Sequence, residues 1–231
     1  MALYGRGCVN VVTVRPTSLE TFLAKRFAPE DFHRPTLTLA RRLLGCWLIH
    51  RTATGLCGGR IVEVEAYLGP HDRGSHSYGG RMTERNRAMF GPKGHAYIYL
   101  IYGMYWCFNV VSGPIGKPQA ILVRALEPVL GLDQMRENLG AAHASAHSLC
   151  RGPGKLCRAL GITGELYGEP LWGDRLFLVP ACRKRGEEIA ASARINIAYA
   201  GPDATKPWRF FIRGNPCVSG PASLNRQNRL A

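Results

Sequence analysis

The run YIYLIYGMYWCFNV at 97–110 limits the fold more than any other part of the chain. It holds four of the nine tyrosines together with a tryptophan, a phenylalanine and a single asparagine. Aromatic and β-branched residues suit a half-buried pleated surface. Gly103 interrupts the run, so it reads as a β-hairpin that displays Tyr102, Met104 and Tyr105 at a tight turn. Tyr97 and Tyr99 are two apart and face one side of their strand. Ile98, Leu100, Ile101, Trp106 and Phe108 are the expected packing residues. A second reading, a hydrophobic tip covered by another segment, stays open.

The surrounding chain supplies further strands and short helices. TLTLARRLLG (36–45) predicts a helix with Thr36 as its cap candidate, and CWLIHR (46–51), a turn in TATGLCGG and RIVEVEAY (60–67) predict strand, turn and strand. Residues 68–83 are a Gly-, Ser- and His-rich loop, and loops of that length in compact domains are commonly functional. ERNRAMF predicts a helical turn or two, GPKG a turn, ILVRALEP (121–128) a buried strand and EPVLGLDQMRENL a helix. GAAHASAHS reads as a surface loop, RGPGKLCRALGI as a helix entered through Gly-Pro, and RLFLVP and WRFFIRG as late strands. No repeat or clean linker divides the 231 residues. One mixed α+β domain on an antiparallel sheet is therefore expected over 29–220. Residues 1–28 read as a poorly ordered extension, with a transit peptide as the second reading, and 221–231 as a tail.

Charge narrows the partner. Thirty Lys and Arg against sixteen Asp and Glu leave +14, the footprint of a protein that meets polyanions. Only six of the basic residues are lysines, and arginine binds phosphate in a fork that lysine lacks, although codon bias would give the same excess. Nucleic acid leads and an anionic membrane surface comes second. No apolar run approaches the roughly 20 residues that span a bilayer. The eight cysteines lack paired close spacing and read as reduced core residues of a cytosolic or nuclear protein.

Within VEVEAY, Glu63 and Glu65 share one strand face, and Val62, Val64 and Ala66 take the other. Taken alone, the pair fits two solvent-exposed strand residues better than a site. A glycosidase dyad is excluded because its carboxyls flank the scissile bond from opposite sides. If the pair is functional, one glutamate serves as general base for water and the other is structural. His71 and His76 lie in the long loop with Asp72 and Arg73. His143, His147, Cys150 and Cys157 match no closed zinc pattern and read as surface histidines beside core cysteines, so no metal is expected. Exposed aromatics in a basic protein suit stacking on bases, worth about 1–3 kcal/mol per base, or wedging between them.

The block RIVEVEAYLGPHDRGSHSYGGRMTERNRAMFGPKGHAYIYLIYGMYWCFNVV, followed by ILVRALEP, RGPGKLCRAL and KPWRFFIRGNPCVS, closely resembles the alkyladenine (3-methylpurine) DNA glycosylases of the eukaryotic and bacterial type. The likeness runs from about Thr36 to Ser219; helix-hairpin-helix glycosylases are not resembled. The chain departs from the family pattern at Cys217, where tryptophan is common, and in GPIGKP before Ile121.

The resemblance implies a compact mixed α/β fold around a curved antiparallel sheet, like a formyltransferase C-terminal domain, with a protruding hairpin that enters the minor groove of double-stranded DNA. It implies a monomeric, cofactor-free, monofunctional enzyme that flips out 3-methyladenine, 7-methylguanine, hypoxanthine or ethenoadenine and leaves an abasic site. Glu65 matches the base that activates water, and Arg124 the arginine that places it. Tyr67, His76 and Tyr99 match the walls around the flipped base, which would hold a cationic purine through their π faces. Asn109 matches the asparagine that crowds the 2-amino group of guanine. Tyr102 matches the side chain that fills the vacated duplex position, and Met104 and Tyr105 touch flanking bases. Arg81, Thr83 and Lys155 match DNA-backbone contacts. The pocket motifs contain no lysine, which argues against a Schiff-base step. The compartment implied is the cytoplasm and nucleoid for a bacterial protein, or the nucleus with a mitochondrial pool for a eukaryotic one. A non-catalytic damaged-DNA-binding protein and a His/Cys metal-dependent nuclease are the competing readings.

Overall fold

The apolar alternations form one sheet of eight strands in the computed structural model, which describes residues 19–225. The strands are β1 (Trp47–Thr52), β2 (Gly55–Tyr67), β3 (Ala96–Ile101), β4 (Tyr105–Val111), β5 (Ala120–Leu130), β6 (Leu176–Val179), β7 (Ile189–Ser192) and β8 (Arg209–Ile212). All pairings are antiparallel. The order is β3-β4-β5-β2-β1-β6, with β8 joined to β2 and β7 to β8.

The thirteen-residue β2 is the spine of this sheet. One edge pairs with β5 along most of its length. The other edge is shared, by β1 as far as Arg60 and by β8 from Glu63 to Glu65. The register against β5 slips between Ile61 and Val64, and such a bulge bends a strand and increases its twist. The sheet therefore forks and curls where β2 carries its two glutamates.

α1 (Leu19–Ala24) packs on the face of β1 and β6 that carries Ile49 and Phe177, whereas α2 (Thr36–Leu43), α3 (Leu132–Leu139), α4 (Ala146–Leu149) and α5 (Pro153–Leu160) lie on the opposite, main-core face. α2 packs on β2, α5 packs on β4 and β5, and α3 packs on α5. The main core joins Leu39 and Leu43 of α2, Val62 and Val64 of β2, and Leu156 and Leu160 of α5 in one domain.

Several boundaries differ from the sequence expectation. Thr36 is the first helical residue, after Pro35, and its hydroxyl bonds to Ser112 and Gln119 instead of capping. The turn after β1 is confined to residues 53–54. Gly58 and Gly59 lie inside β2 because a Cβ on Gly59 would stand 2.2 Å from the Glu127 carbonyl oxygen of β5, a close backbone approach that only glycine allows. Residues 127–130 remain in β5, and the next helix starts at Leu132 after left-handed Gly131 (φ 69°). The short strand β7 was not foreseen.

Part of the stretch expected to be loosely ordered, residues 19–28, is packed. Phe22 and Phe27 are each 1% exposed. Phe22 lies against Ile49, Phe177 and Val179, and the Phe27 amide donates to the Leu178 carbonyl at 2.8 Å. In the expected tail, Ala222–Asn225 forms a helical turn. Residues 1–18 and 226–231, with the rest of the extension, the transit-peptide reading and the tail, lie outside the described residues.

Candidate active site

Alternation along β2 does place Glu63 and Glu65 on one face, but bulk solvent does not reach that face: both are 0% exposed. A buried carboxylate costs several kcal/mol unless it is paired and hydrogen-bonded, so its partners define the site. Glu63 accepts from Arg209 Nε at 2.7 Å, Arg124 Nε at 3.0 Å and the Ser219 amide at 2.6 Å. Burial alone would raise its pKa, yet Arg124 and Arg209 outweigh that and hold the carboxyl below its ordinary value. Glu65 accepts from the Tyr67 hydroxyl at 2.8 Å and the Ile195 amide at 2.7 Å. Arg124 Nη1 stands 3.3 Å from its Oε2. Arg124 thus bridges both acids. Burial disfavours its charge, but Glu65 and Glu63 more than compensate and keep its pKa above that of an ordinary arginine.

A third buried pair ties the surrounding segments together. Arg194 grips Asp72 through two bonds of 2.6 and 2.7 Å and donates to the Ala66 carbonyl at 3.0 Å. Asp72 also accepts from the Leu68 and Gly74 amides, which folds the start of the long loop. The Arg194 guanidinium lies 4.7 Å from the Tyr67 ring centroid.

Beside this network opens a cavity of about 640 Å³ whose wall includes Tyr67, His76, Tyr97, Tyr99, Asn109 and Arg124. Glu65 lies behind Tyr67 and Arg124, off the cavity surface. His76 meets Tyr99 edge-on at 4.5 Å, and its Nδ1 is 2.8 Å from the Tyr97 hydroxyl. Desolvation, and then the charge of Arg85, lower the His76 pKa to about 4. The lowered value leaves the ring neutral at pH 7. Burial raises both Tyr97 and Tyr99, so their hydroxyls stay protonated. The Asn109 amide nitrogen donates to the Tyr97 carbonyl at 3.0 Å, which leaves its oxygen as the end available to the cavity.

The β3–β4 hairpin closes at the cavity mouth through Tyr102, Gly103 and Met104, with Ile101 paired to Tyr105. Tyr102 and Gly103 both have positive φ, 55° and 69°, and the Met104 amide returns to the Ile101 carbonyl at 3.2 Å. Positive φ at successive turn residues is ordinarily met by Asn or Gly. Tyrosine here is 79% exposed. Tyr102 and Tyr105 line the mouth with Arg151, Lys155 and Arg158. Met104, Arg81 and Thr83 are exposed but do not line it. Leu100, expected to pack, is 37% exposed. Lys155 places a lysine on the cavity wall that the pocket strands themselves lack. His143, His147, Cys150 and Cys157 do not converge: among the described residues no three His, Cys, Asp or Glu form a metal-binding group.

Sequence reasoning missed Arg194, Arg209 and the Ile195 amide. The available signal was Arg209 itself, a charge inside the apolar strand WRFFI, which requires a buried partner.

A family model described as "Methylpurine-DNA glycosylase (MPG)" matches residues 30–216. A Bacillus cytotoxicus protein is 48% identical over 201 residues, covering 83% of this chain and 98% of its own. Relatives from Bacillus cereus and Bacillus anthracis are 49% identical over the same coverage. All three carry the name "Putative 3-methyladenine DNA glycosylase".

Proposed function

We propose that this chain, which belongs to the methylpurine-DNA glycosylase family, excises damaged purines from double-stranded DNA by a water-dependent, monofunctional reaction with Glu65 as general base. It works as a monomer and flips the damaged nucleotide into the cavity, while Tyr102 takes the vacated position in the duplex. Met104 and Tyr105 touch the flanking bases, and Arg81, Thr83 and Lys155 hold the backbone.

The observation that carries this reading is the bonding of Glu65. Two hydrogen bonds, from the Tyr67 hydroxyl and the Ile195 amide, and the ion pair to Arg124 take up its carboxylate, out of about four acceptor positions. The remaining position, on Oε1, suits one water, and Arg124 pairs with the carboxylate from the other oxygen. As the water oxygen bonds to C1′, its proton passes to Glu65 and the C1′–N bond breaks with its electron pair going to the purine. Positive charge builds on the sugar, which an ionised carboxylate stabilises. A cationic alkylpurine such as 7-methylguanine or 3-methyladenine departs neutral. Hypoxanthine and ethenoadenine require a proton at the leaving base. The Asn109 oxygen crowds the 2-amino group of guanine, which excludes the normal base.

The test is single-turnover excision by Glu65→Gln. Base release should fall by about 10²–10⁴-fold while binding to lesion-containing duplex persists; full activity would reject the reading. Borohydride should trap no covalent protein–DNA adduct, Lys155 notwithstanding.

A further inference from the structure

Two tyrosines that wall the cavity already carry an arginine. Arg194 lies 4.7 Å from the Tyr67 ring centroid, and Arg85 lies 5.0 Å from that of Tyr99. Both rings line the cavity and neither arginine does, so each ring stands between a guanidinium and whatever occupies the cavity. The two differ in charge balance. Arg194 is neutralised by its two bonds to Asp72. Among the described residues no carboxylate lies within ion-pair distance of Arg85. Its Nη2 donates instead to the Leu100 carbonyl at 3.2 Å, which holds it over the ring. The charge is felt inside the cavity, because Arg85 contributes to the lowering of His76.

We propose that Arg85 is a specificity-determining residue that weakens the cavity's grip on cationic purines relative to neutral ones. This rests on the excision reading above. An aromatic face attracts a cation through its quadrupole, but Tyr99 already spends one face on a guanidinium. A cationic purine stacked on the other face would sit about 8–9 Å from that charge, the 5.0 Å to the ring plus a contact distance of roughly 3.5 Å. At that separation two like charges near a protein surface repel enough to change affinity roughly 20–30-fold. Solvent and salt around the exposed Arg85 reduce this to about three- to tenfold. A neutral purine meets no such repulsion. The departing base loses its charge on the way to the transition state, so the bias acts on binding more than on chemistry.

The experiment measures half-saturating protein concentrations in single-turnover excision, on two duplexes of one sequence that carry 7-methylguanine or ethenoadenine. With Arg85→Gln, the value for the cationic lesion should fall about three- to tenfold relative to the neutral one, and Arg85→Lys should stay near the wild-type ratio. Wild-type protein provides a check that needs no variant: raising salt should shift the ratio in the same direction. An unchanged ratio overturns the proposal, including the case where both lesions weaken equally, as a simple phosphate contact or a folding defect would produce. Wild-type protein that releases neither base defeats the excision reading itself, a result separate from an unchanged ratio.

Discussion

Arg124 serves two acids at once, and Glu63 is the one that fixes it. Glu63 reaches neither the cavity nor solvent, yet it holds Arg124 from behind while Arg209 and the Ser219 amide hold Glu63. Replacing Glu63 by leucine leaves Arg209 buried without a counter-charge, and chemical denaturation should register a loss of about 3–5 kcal/mol. The pH dependence has a definite sign. The folded Glu63 carboxyl titrates below its ordinary value of 4.5, so its stabilisation is present above that pH and is lost as pH falls through the folded value. Melting temperatures between pH 7 and 3 should show a shallower acid limb for Glu63→Gln than for wild type. The same residues show how far a sequence can be read. The spacing of Glu63 and Glu65 announces a shared face, but nothing local reveals that the face is buried. Ile195 and Ser219 lie 130 and 156 positions away from the acids they satisfy, and a period-2 pattern carries no information at that range.

The hairpin tip is the element where local preference and fold disagree. A tyrosine in left-handed backbone costs roughly 1–2 kcal/mol that asparagine or glycine would mostly avoid, and Tyr102 is held there at φ 55° with its ring in solvent. Tyr102→Asn should therefore match or exceed wild type in denaturant midpoint while losing excision activity, a combination that separates a functional side chain from a structural one. Sequence made this hairpin legible because Gly103 punctuates an aromatic run and tight turns have narrow requirements. It misled at Gly58 and Gly59, where glycine marks a close crossing of β2 with its neighbours and not a turn. α5 was legible for the opposite reason: Gly152 and Pro153 form a start signal that depends on nothing distant.

Across the whole molecule, the segment that begins at Leu19 belongs to the fold. Phe22 covers Ile49 and Phe177 on the side of the sheet away from the main core, so Phe22→Ala should cost about 3–5 kcal/mol, measurable by urea unfolding, without touching the cavity. Composition spoke correctly for one domain, but it could not place two phenylalanines on a sheet formed by residues much later in the sequence. The shared edge of β2 has a further consequence, for the order of events during synthesis. β8 and the segment through Ser219 supply the cation and amide that neutralise Glu63, and the stretch before β8 supplies the amide that fixes Glu65. A growing chain has made both acids long before any of these groups exist. It must keep them hydrated until those later segments emerge, so the two acids are satisfied only after β8 and the Ser219 segment have been made.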